Sequence, residues 1–343
     1  MNTKIENLIK KTFNLNGLNN TVFVTRKNKQ LVLHSIDCKV TIPVEQDTYY
    51  NAVTTSKDIK TNGIDNITQY AHLEIKPNNT LVFDVTENPT MINAIVFDKL
   101  PLYKVTMNRT FLNTVWFCGS DIYDTNGFYI VKTHHDNFVD TDKTFGIDKK
   151  IASLLKGFKG NVQINYRIEN GKQNTLVTIF ADGVKIEIHS VIDADDFKPM
   201  INKILNSDYS NSTYRIEDIT TFLELLASAK NDNKFIHLEL NDNKLTANNL
   251  YLIRSNEFKR GEIGSCKVKC TEKVSDNEEI TLNSDYTKGL KKILKYENDL
   301  FLKMGYFRSS FDNKSILNKI RIENKNFTIL IMCIANINII EQS

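Results

Sequence analysis

The sequence predicts an α+β protein built from repeated units, each a helix followed by a small antiparallel sheet. Amphipathic stretches of about ten residues alternate with segments in which apolar and polar residues alternate, and short turn motifs interrupt those segments. Three of the units start at Lys149, Ile216 and Asn283, at two equal intervals of 67 residues. One such unit buries little apolar surface, so we expect the units to pair into domains of about 110 residues.

The composition is that of a soluble globular protein and leaves a polyanionic partner possible. Of 343 residues, 41% are hydrophobic and 25% are charged, and the formal net charge is +3. The N-terminal segment is charged, so we expect no secretory signal, and the longest apolar run, 328–340, is too short to span a membrane. The five dispersed cysteines favour reduced thiols and a cytoplasmic location.

Four segments have the periodicity of an amphipathic helix, with apolar side chains at intervals of three and four residues. These segments are 4–14, 148–158, 217–230 and 286–295. A fifth helix is predicted at 107–118, although Thr114 and Val115 are β-branched and disfavour it.

Segments with β-type alternation follow the helices. They are 21–44, 162–191, 235–253 and a strand-rich stretch that ends at Ile334. Turns are predicted at 169–171, 181–183 and 241–243, because glycine and asparagine tolerate positive φ. Pairing the units predicts three domains, 1–95, 96–210 and 211–343, with boundaries after the Asn88-Pro89 pair and in the polar stretch 206–213.

Lysines occupy one face of three predicted helices, opposite the apolar face. In 286–295, four lysines lie roughly 165° around the helix from the apolar side chains. Like charges at i and i+4 repel each other, and this segment has no acidic residue to compensate them, so solubility alone explains the stripe poorly. A helix that faces nucleic-acid phosphates would gain from it, because each neutralised phosphate releases a counterion. The predicted DNA-facing lysines are Lys10, Lys11, Lys149, Lys150, Lys156, Lys288, Lys291, Lys292 and Lys295.

Two features limit this interpretation. Helix 217–230 departs from the pattern, because Glu217, Asp218 and Glu224 make its outer face acidic. The lysines also lack interleaved aromatic side chains, and the helices are not enriched in the residues that recognise base edges. We therefore expect contacts with the DNA backbone that are insensitive to sequence.

The order and spacing of several segments resemble the bacterial DNA polymerase sliding clamp, the β clamp. Residues 280–304 are similar to the family's last helix and following strand, 327–334 to its closing strand, and 235–249 to the first hairpin of its third domain. The stretch YDTNGFYIVKT (123–133) resembles a strand and turn that usually reads Thr-Asp-Gly-His-Arg-Leu. Residues 188–199 resemble the segment that closes the second domain, whereas the N-terminal third matches only in pattern.

This resemblance implies a head-to-tail homodimeric ring of three-domain subunits, with the lysine-bearing helices around a hole and continuous sheets outside. Such a ring encircles double-stranded DNA and acts as a processivity factor for a DNA polymerase, and it has no catalytic activity, cofactor or metal. The expected ring interface brings strand 80–85 of one subunit against the third domain of the other. The divergent motifs would suit a phage or another mobile element.

The family binds its polymerase and clamp loader through a short peptide, in an apolar pocket between the second and third domains. By resemblance, the pocket wall comprises Thr125, Gly127, Ile130, Pro199, Ile204, Leu330 and Met332. The same residues would equally serve as ordinary core. The sequence departs from the family at Phe128 and Tyr129, where His-Arg is usual, and at Cys333, where proline is usual. A tail, 335–343, would overlie the pocket or pack beside it.

Two other function classes stay open. One is a clamp-like binding or inhibitory module that captures replication proteins without encircling DNA. The other is a metal-dependent nuclease. Its candidate ligands are His134, His135, Asp136, Asp140 and Asp142. Against a nuclease, adjacent histidines of a strand point to opposite faces, and no second carboxylate motif completes the site.

Overall fold

The computed structural model describes most of the chain, in two compact units. The described residues are 3–15, 21–46, 49–64, 66, 85–102, 105, 110–135, 143–194, 212–228, 235–241, 243–254, 257–273, 277–287, 290–295, 297–308, 316–333 and 338–339. The first unit comprises 1–98, 113–115 and 145–195, and the second comprises 99–112, 116–144 and 196–343. The division into three domains near 95 and 210 stays a prediction.

The described residues contain five short α-helices. They are α1 (Thr3–Phe13), α2 (Ser56–Asn62), α3 (Lys149–Leu155), α4 (Ile219–Ala227) and α5 (Leu290–Leu294). Three of the predicted amphipathic helices are confirmed as α1, α3 and α4. The fourth prediction, 286–295, is only partly right, because Ser284–Tyr286 form a separate 3₁₀ turn before α5.

Helix α2 was not predicted, although its sequence carries a recognisable start signal. Thr55 Oγ1 accepts a hydrogen bond from the backbone N–H of Asp58 at 3.2 Å. In return, Asp58 Oδ2 accepts one from the backbone N–H of Thr55, also at 3.2 Å. This reciprocal capping box is encoded by a threonine followed three residues later by an acidic residue, so the helix start was readable from sequence.

The predicted helix at 107–118 is wrong over 110–118, and its first three residues lie outside the described ranges. Thr110–Asn113 form a 3₁₀ turn, and Thr114–Cys118 form a strand, β6. The first four residues of this strand are buried, so both of its faces are covered. β-branched and aromatic side chains lose freedom in a helix but fit a pleated sheet, and that preference decides the conformation here.

The first unit contains an eight-stranded antiparallel sheet. In spatial order its strands are β4 (Tyr50–Thr55), β1 (Thr21–Lys27), β2 (Gln30–His34), β3 (Cys38–Pro43), β12 (Val184–Asp193), β11 (Lys172–Ala181), β10 (Asn161–Glu169) and β5 (Thr90–Asn93). The predicted turns at 169–171 and 181–183 are confirmed, because two-residue connections with positive φ join β10 to β11 and β11 to β12.

Helix α1 packs its apolar face on this sheet and contacts both α2 and α3. Its buried side chains include Ile5, Ile9 and Phe13, which recur at intervals of four residues. Helix α3 similarly buries Ile151 and Leu155. The polar faces of α1 and α3 therefore point away from the sheet. A short strand, β9 (Thr144–Asp148), leads directly into α3.

The second unit is built on a longer sheet. In spatial order its strands are β17 (Asn277–Asn283), β14 (Phe235–Asn241), β15 (Lys244–Arg254), β16 (Glu257–Glu272), β13 (Thr213–Ile216), β18 (Phe301–Arg308), β19 (Ile316–Glu323), β20 (Phe327–Met332), β8 (Tyr129–His134), β7 (Asp121–Thr125) and β6. A two-residue connection joins β14 to β15, which confirms the predicted turn at 241–243.

Two features complete this unit. Helices α4 and α5 contact each other, and Phe222, Leu226 and Leu294 are buried in the main core cluster. The described part of the tail, β21 (Asn338–Ile339), pairs in parallel with β16. These two tail residues therefore lie beside β16.

A buried histidine in this sheet makes stability depend on pH. His237 is 2% exposed, and its Nδ1 lies 2.9 Å from Thr281 Oγ1. Its Nε2 lies 3.5 Å from carboxylate oxygens of both Glu239 and Glu279. Burial, together with the guanidinium of Arg260, lowers the pKa of His237 to about 4. Burial and Arg260 together therefore outweigh the attraction of the Glu279 carboxylate.

We expect the free energy of unfolding to fall between pH 7 and pH 5. The unfolded chain protonates this histidine below about pH 6.5, whereas the folded chain does so only below about pH 4. The unfolded state thus binds more protons in this window, which costs on the order of 2 kcal/mol at pH 5. Urea unfolding of the wild type and of His237→Gln measures this loss. The substitution should make the free energy of unfolding less dependent on pH. An equally steep dependence in the variant would show that His237 is not its cause.

Candidate functional site

A groove of about 640 Å³ runs along α1 and the residues that follow α3, within the first unit. Its lining residues are Lys4, Ile5, Asn7, Leu8, Lys11, Leu154, Lys156, Gly157, Phe158, Lys159, Gly160, Phe180, Ala181 and Asp182. Two of the predicted lysines, Lys11 and Lys156, line this groove although they lie far apart in the sequence. Folding therefore brings cations from two helix-plus-sheet units to one place.

Helix α1 contributes one stripe of side chains to the groove. Lys4, Asn7, Leu8 and Lys11 stand at i, i+3, i+4 and i+7 and share one face of the helix. Lys10 is engaged in a different interaction, because its Nζ lies 2.7 Å from Glu6 Oε1. Of the two α1 lysines predicted to face DNA, Lys11 thus lines the groove, whereas Lys10 forms an ion pair with Glu6, one helical turn before it.

The lysines around α3 differ in exposure. Asp148 caps the helix by accepting a hydrogen bond from the backbone N–H of Lys150 at 2.7 Å, and burial raises the pKa of this aspartate. Lys150 and Lys156 are exposed, whereas Lys149 is only 5% exposed. The burial of Lys149 argues against its predicted contact with DNA. Lys156 lies just past the helix, at its C-terminal cap.

In the second unit, Lys291 on α5 and Lys295 just after α5 are exposed to solvent. Lys291 Nζ lies 3.8 Å from Glu224 Oε1 on the neighbouring α4, and since both side chains are exposed this pair adds little stability. Lys292 lies within α5, and Lys288 lies outside the described residues. Asp218 caps α4 by accepting a hydrogen bond from Thr221 N at 2.9 Å, so this carboxylate serves the helix end.

Five residues of the predicted peptide pocket come together in the second unit. Ile130 on β8 pairs directly with Leu330 on β20, and Met332 N donates to the carbonyl oxygen of Phe128 at 2.8 Å. Thr125 Oγ1 closes the preceding turn by donating to Tyr129 O at 2.6 Å. The N–H of Gly127, in the same turn, donates to that hydroxyl at 3.1 Å. The remaining two predicted pocket residues, Pro199 and Ile204, lie outside the described residues.

The surface at this place includes Phe128, one of the residues at which the sequence departs from the family. Ile130 and Leu330 are buried in a small cluster with Trp116. Phe128 is 40% exposed and stacks on Tyr286, with ring centroids 4.9 Å apart. Met332 is 36% exposed. The exposed surface here therefore comprises the Phe128–Tyr286 stack and Met332, next to the buried pair Ile130 and Leu330.

The turn that carries Phe128 is held by a buried carboxylate. Asp124 is fully buried, and its Oδ2 accepts hydrogen bonds from Leu102 N at 2.7 Å and from Tyr129 Oη at 3.3 Å. Leu102 has a φ of +51°, a conformation that costs a residue with a side chain energy. Asp124 therefore links a strained backbone segment to the turn.

The histidine-rich segment gives no support to a nuclease. His134 Nδ1 lies 2.8 Å from Asp121 Oδ1, and Lys132 Nζ lies 2.8 Å from Asp121 Oδ2. Burial acts to raise the pKa of Asp121, but the hydrogen bonds from these two neighbours outweigh burial and lower it. Within the described ranges, no group of three or more His, Cys, Asp or Glu side chains is placed to hold a metal ion. The other candidates, Asp136, Asp140 and Asp142, lie outside those ranges.

Among the helices that the structure describes, none is long and apolar enough to cross a membrane.

Sequence reasoning missed several groove residues. Lys4 was recoverable, because it stands seven residues before Lys11 on the same helix face. Lys159 follows α3 in a segment without periodicity, and only the fold shows that it lines the groove. Phe158 and Phe180 also line it, so aromatic side chains do accompany the lysines. Phe158 adjoins Lys159 in the sequence, whereas Phe180 reaches the groove only through the fold.

No protein-family model matches the chain, and no curated protein matches it in sequence. Solved structures, in contrast, match along nearly its whole length. The DNA polymerase sliding clamp of Pseudomonas aeruginosa is 12% identical, with a TM-score of 0.65 over 96% of this chain and 98% of that one. A structure from Eubacterium rectale described as a DNA polymerase III β subunit is 13% identical, with a TM-score of 0.68 over the same shares.

A third similar structure contains a bound peptide. The Helicobacter pylori β clamp, solved in complex with a DNA ligase peptide, is 14% identical, with a TM-score of 0.65 over 97% of this chain and 98% of that one. At these identities the likeness shows the fold alone. The predicted α+β class and the resemblance noted in the sequence are confirmed, and the chain has the fold of the DNA polymerase III β sliding clamps.

Proposed function

We propose that this protein is a DNA sliding clamp, a processivity factor that encircles double-stranded DNA and tethers a DNA polymerase. One observation carries the proposal: on a chain with the clamp fold, Lys11 and Lys156 come from two different helix-plus-sheet repeats and line the same groove. Lysines on a polar helix face provide the sequence-independent contacts that a sliding protein needs, because each contact is weak and sensitive to salt.

The proposed ring is a homodimer closed through sheet edges. Strand β17 is the outermost strand of its sheet, and in the described part of the chain it pairs only with β14. Its other side thus offers backbone groups to a strand from a second copy. The predicted partner strand, 80–85, lies mostly outside the described residues. Since the hole would hold the DNA by topology, the ring needs no catalysis, cofactor or metal, and we place it in the cytoplasm.

The proposed docking site for polymerase and clamp loader is the surface around Phe128. The Helicobacter pylori neighbour binds a DNA ligase peptide, and a short apolar peptide on this chain would cover Phe128 and Met332, the two exposed apolar side chains there. The buried neighbours Ile130 and Leu330 support that surface. Because Phe128 and Tyr286 form an aromatic platform, the preferred peptide should carry an aromatic or bulky aliphatic side chain.

Sedimentation and particle images of the purified protein test the proposal against the rival module. A clamp should sediment as a dimer at micromolar concentration and give ring-shaped particles with a central hole. A monomer without a hole would favour a binding or inhibitory module that captures replication proteins without encircling DNA. Cleavage of DNA with Mg²⁺ or Mn²⁺ would instead favour the nuclease.

A further inference from the structure

We propose that the groove along α1 also binds an unpaired nucleotide of single-stranded DNA, with the base stacked on Phe180 and the phosphates beside the groove lysines. This inference deepens the proposed function, since it names a second form of DNA for the same surface. It stands on the lining of the groove, and its test does not require a closed ring.

The first support is an exposed aromatic ring. Phe180 lies near the end of β11, beside the turn 181–183, and 57% of its surface is exposed although it lines the groove. A large apolar side chain in such a position leaves one face of its ring open to solvent. Each nucleobase has a flat π-face, so an aromatic ring of this kind stacks on any base.

The second observation is another aromatic ring in the groove, that of Phe158. Phe158 is half-buried, and its ring atoms lie 3.0 and 3.2 Å from where a Cβ on Gly160 would be. A side chain at position 160 would therefore push the Phe158 ring by a few tenths of an ångström. The groove thus combines a half-buried aromatic ring, packed close to Gly160, with the exposed ring of Phe180.

The third support is charge. Four lysines line the groove, against one aspartate, Asp182. The lysines are Lys4, Lys11, Lys156 and Lys159. A mainly cationic groove with exposed aromatic surface is complementary to a ligand that carries both phosphates and bases. The volume, about 640 Å³, lies within the range of roughly 300–1,000 Å³ that is typical of small-ligand pockets and suits a flipped or unpaired nucleotide.

Stacking on Phe180 distinguishes unpaired DNA from duplex DNA. In a duplex the faces of each base are covered by the neighbouring bases, so only phosphates and base edges reach a protein. A single strand exposes the faces. Duplex DNA in the proposed ring would therefore use the lysines alone, whereas a single strand, as at a primer–template junction, would use the lysines and Phe180 together.

Fluorescence anisotropy of the full-length protein with a labelled thymidine 12-mer tests this inference. Phe180→Leu keeps an apolar side chain but removes the π-face, and we expect it to weaken binding by about five- to tenfold. The matched control is Tyr49→Leu, because Tyr49 is another exposed aromatic residue of the same unit, 69% exposed, that does not line the groove. It should leave the affinity unchanged. Equal affinities for wild type and Phe180→Leu would overturn the proposal.

An abasic 12-mer separates stacking from charge. This oligomer keeps the phosphates but has no bases, so wild type and Phe180→Leu should bind it equally well. A loss of affinity for the abasic oligomer as large as the loss for the thymidine oligomer would show that Phe180 acts without stacking, which would contradict the inference.

Phe180→Trp gives a direct optical signal. The chain has one tryptophan, Trp116, which is 2% exposed, so an added indole at 180 would report mainly on the groove. A stacked base should quench the fluorescence of the new indole, and the abasic oligomer should not. Retention of the wild type on duplex circles reports on the clamp separately. A wild type that binds the thymidine oligomer but is not retained on the circle would contradict the proposed function alone. A wild type that is retained on the circle, but whose oligomer affinity is unchanged by Phe180→Leu, would contradict this inference alone.

Discussion

Replacement of Lys11 and Lys156 by glutamate in the same chain is expected to weaken binding to duplex DNA roughly a hundredfold for each protomer at 0.1 M salt. Both lysines line the groove, on α1 and just after α3. Each lysine that neutralises a phosphate releases about 0.9 counterion, which amounts to roughly a tenfold change in affinity at this salt concentration. The slope of log affinity against log salt should fall by about 2 for each protomer.

The matched control is the double variant Lys172→Glu and Lys244→Glu. Both residues are exposed and lie at the start of strands, outside the groove, and the control changes the net charge by the same amount. It should leave the salt slope nearly unchanged. If both double variants lower the affinity and the slope equally, the effect comes from overall charge and the groove is not a DNA-facing surface.

The second large effect is expected from Asp124→Ala, which should destabilise the second unit by about 3 kcal/mol. The substitution leaves Leu102 N–H and Tyr129 O–H without their carboxylate partner in a buried place, at a cost of about 1–3 kcal/mol for each group. Leu102 also loses the hydrogen bond that holds its backbone at a φ of +51°. Urea unfolding measures the loss as a lower midpoint.

Tyr129→Phe provides a graded comparison. It removes only the hydroxyl that donates to Asp124, so we expect a loss of about 1 kcal/mol. Because the turn carries Phe128, Asp124→Ala should also weaken the binding of a partner peptide more than Tyr129→Phe does. A midpoint for Asp124→Ala as high as that of Tyr129→Phe would show that the carboxylate does not hold the two segments together.

The sequence predicted the elements whose signals are local. Helices α1, α3 and α4 follow from apolar periodicity, and the hairpins of β10, β11 and β12 follow from turn residues that accept positive φ. The helix predicted at 107–118 failed because periodicity was weighed above β-branched and aromatic content. Helix α2 was missed although Thr55 and Asp58 carry its capping signal.

The site was less predictable, because its residues meet only through tertiary contacts. Lys10 and Lys11 were both predicted to face DNA, yet Lys10 pairs with Glu6, and of these two lysines only Lys11 lines the groove. Lys149 has the spacing of a surface lysine but is buried. Phe180 lies on a strand far along the chain from the α1 lysines, so no sequence window could place it beside Lys11.

Retention on circular and linear DNA tests the central claim most directly. The protein is incubated at micromolar concentration with a nicked circular plasmid, at low salt, and the DNA is then separated from free protein in 0.5 M salt. A closed ring should stay on the circle and slide off once a restriction enzyme opens it, since salt weakens the lysine contacts but not the topological link. Equal retention, or equal loss, on circular and linear DNA would contradict a protein that encircles its partner.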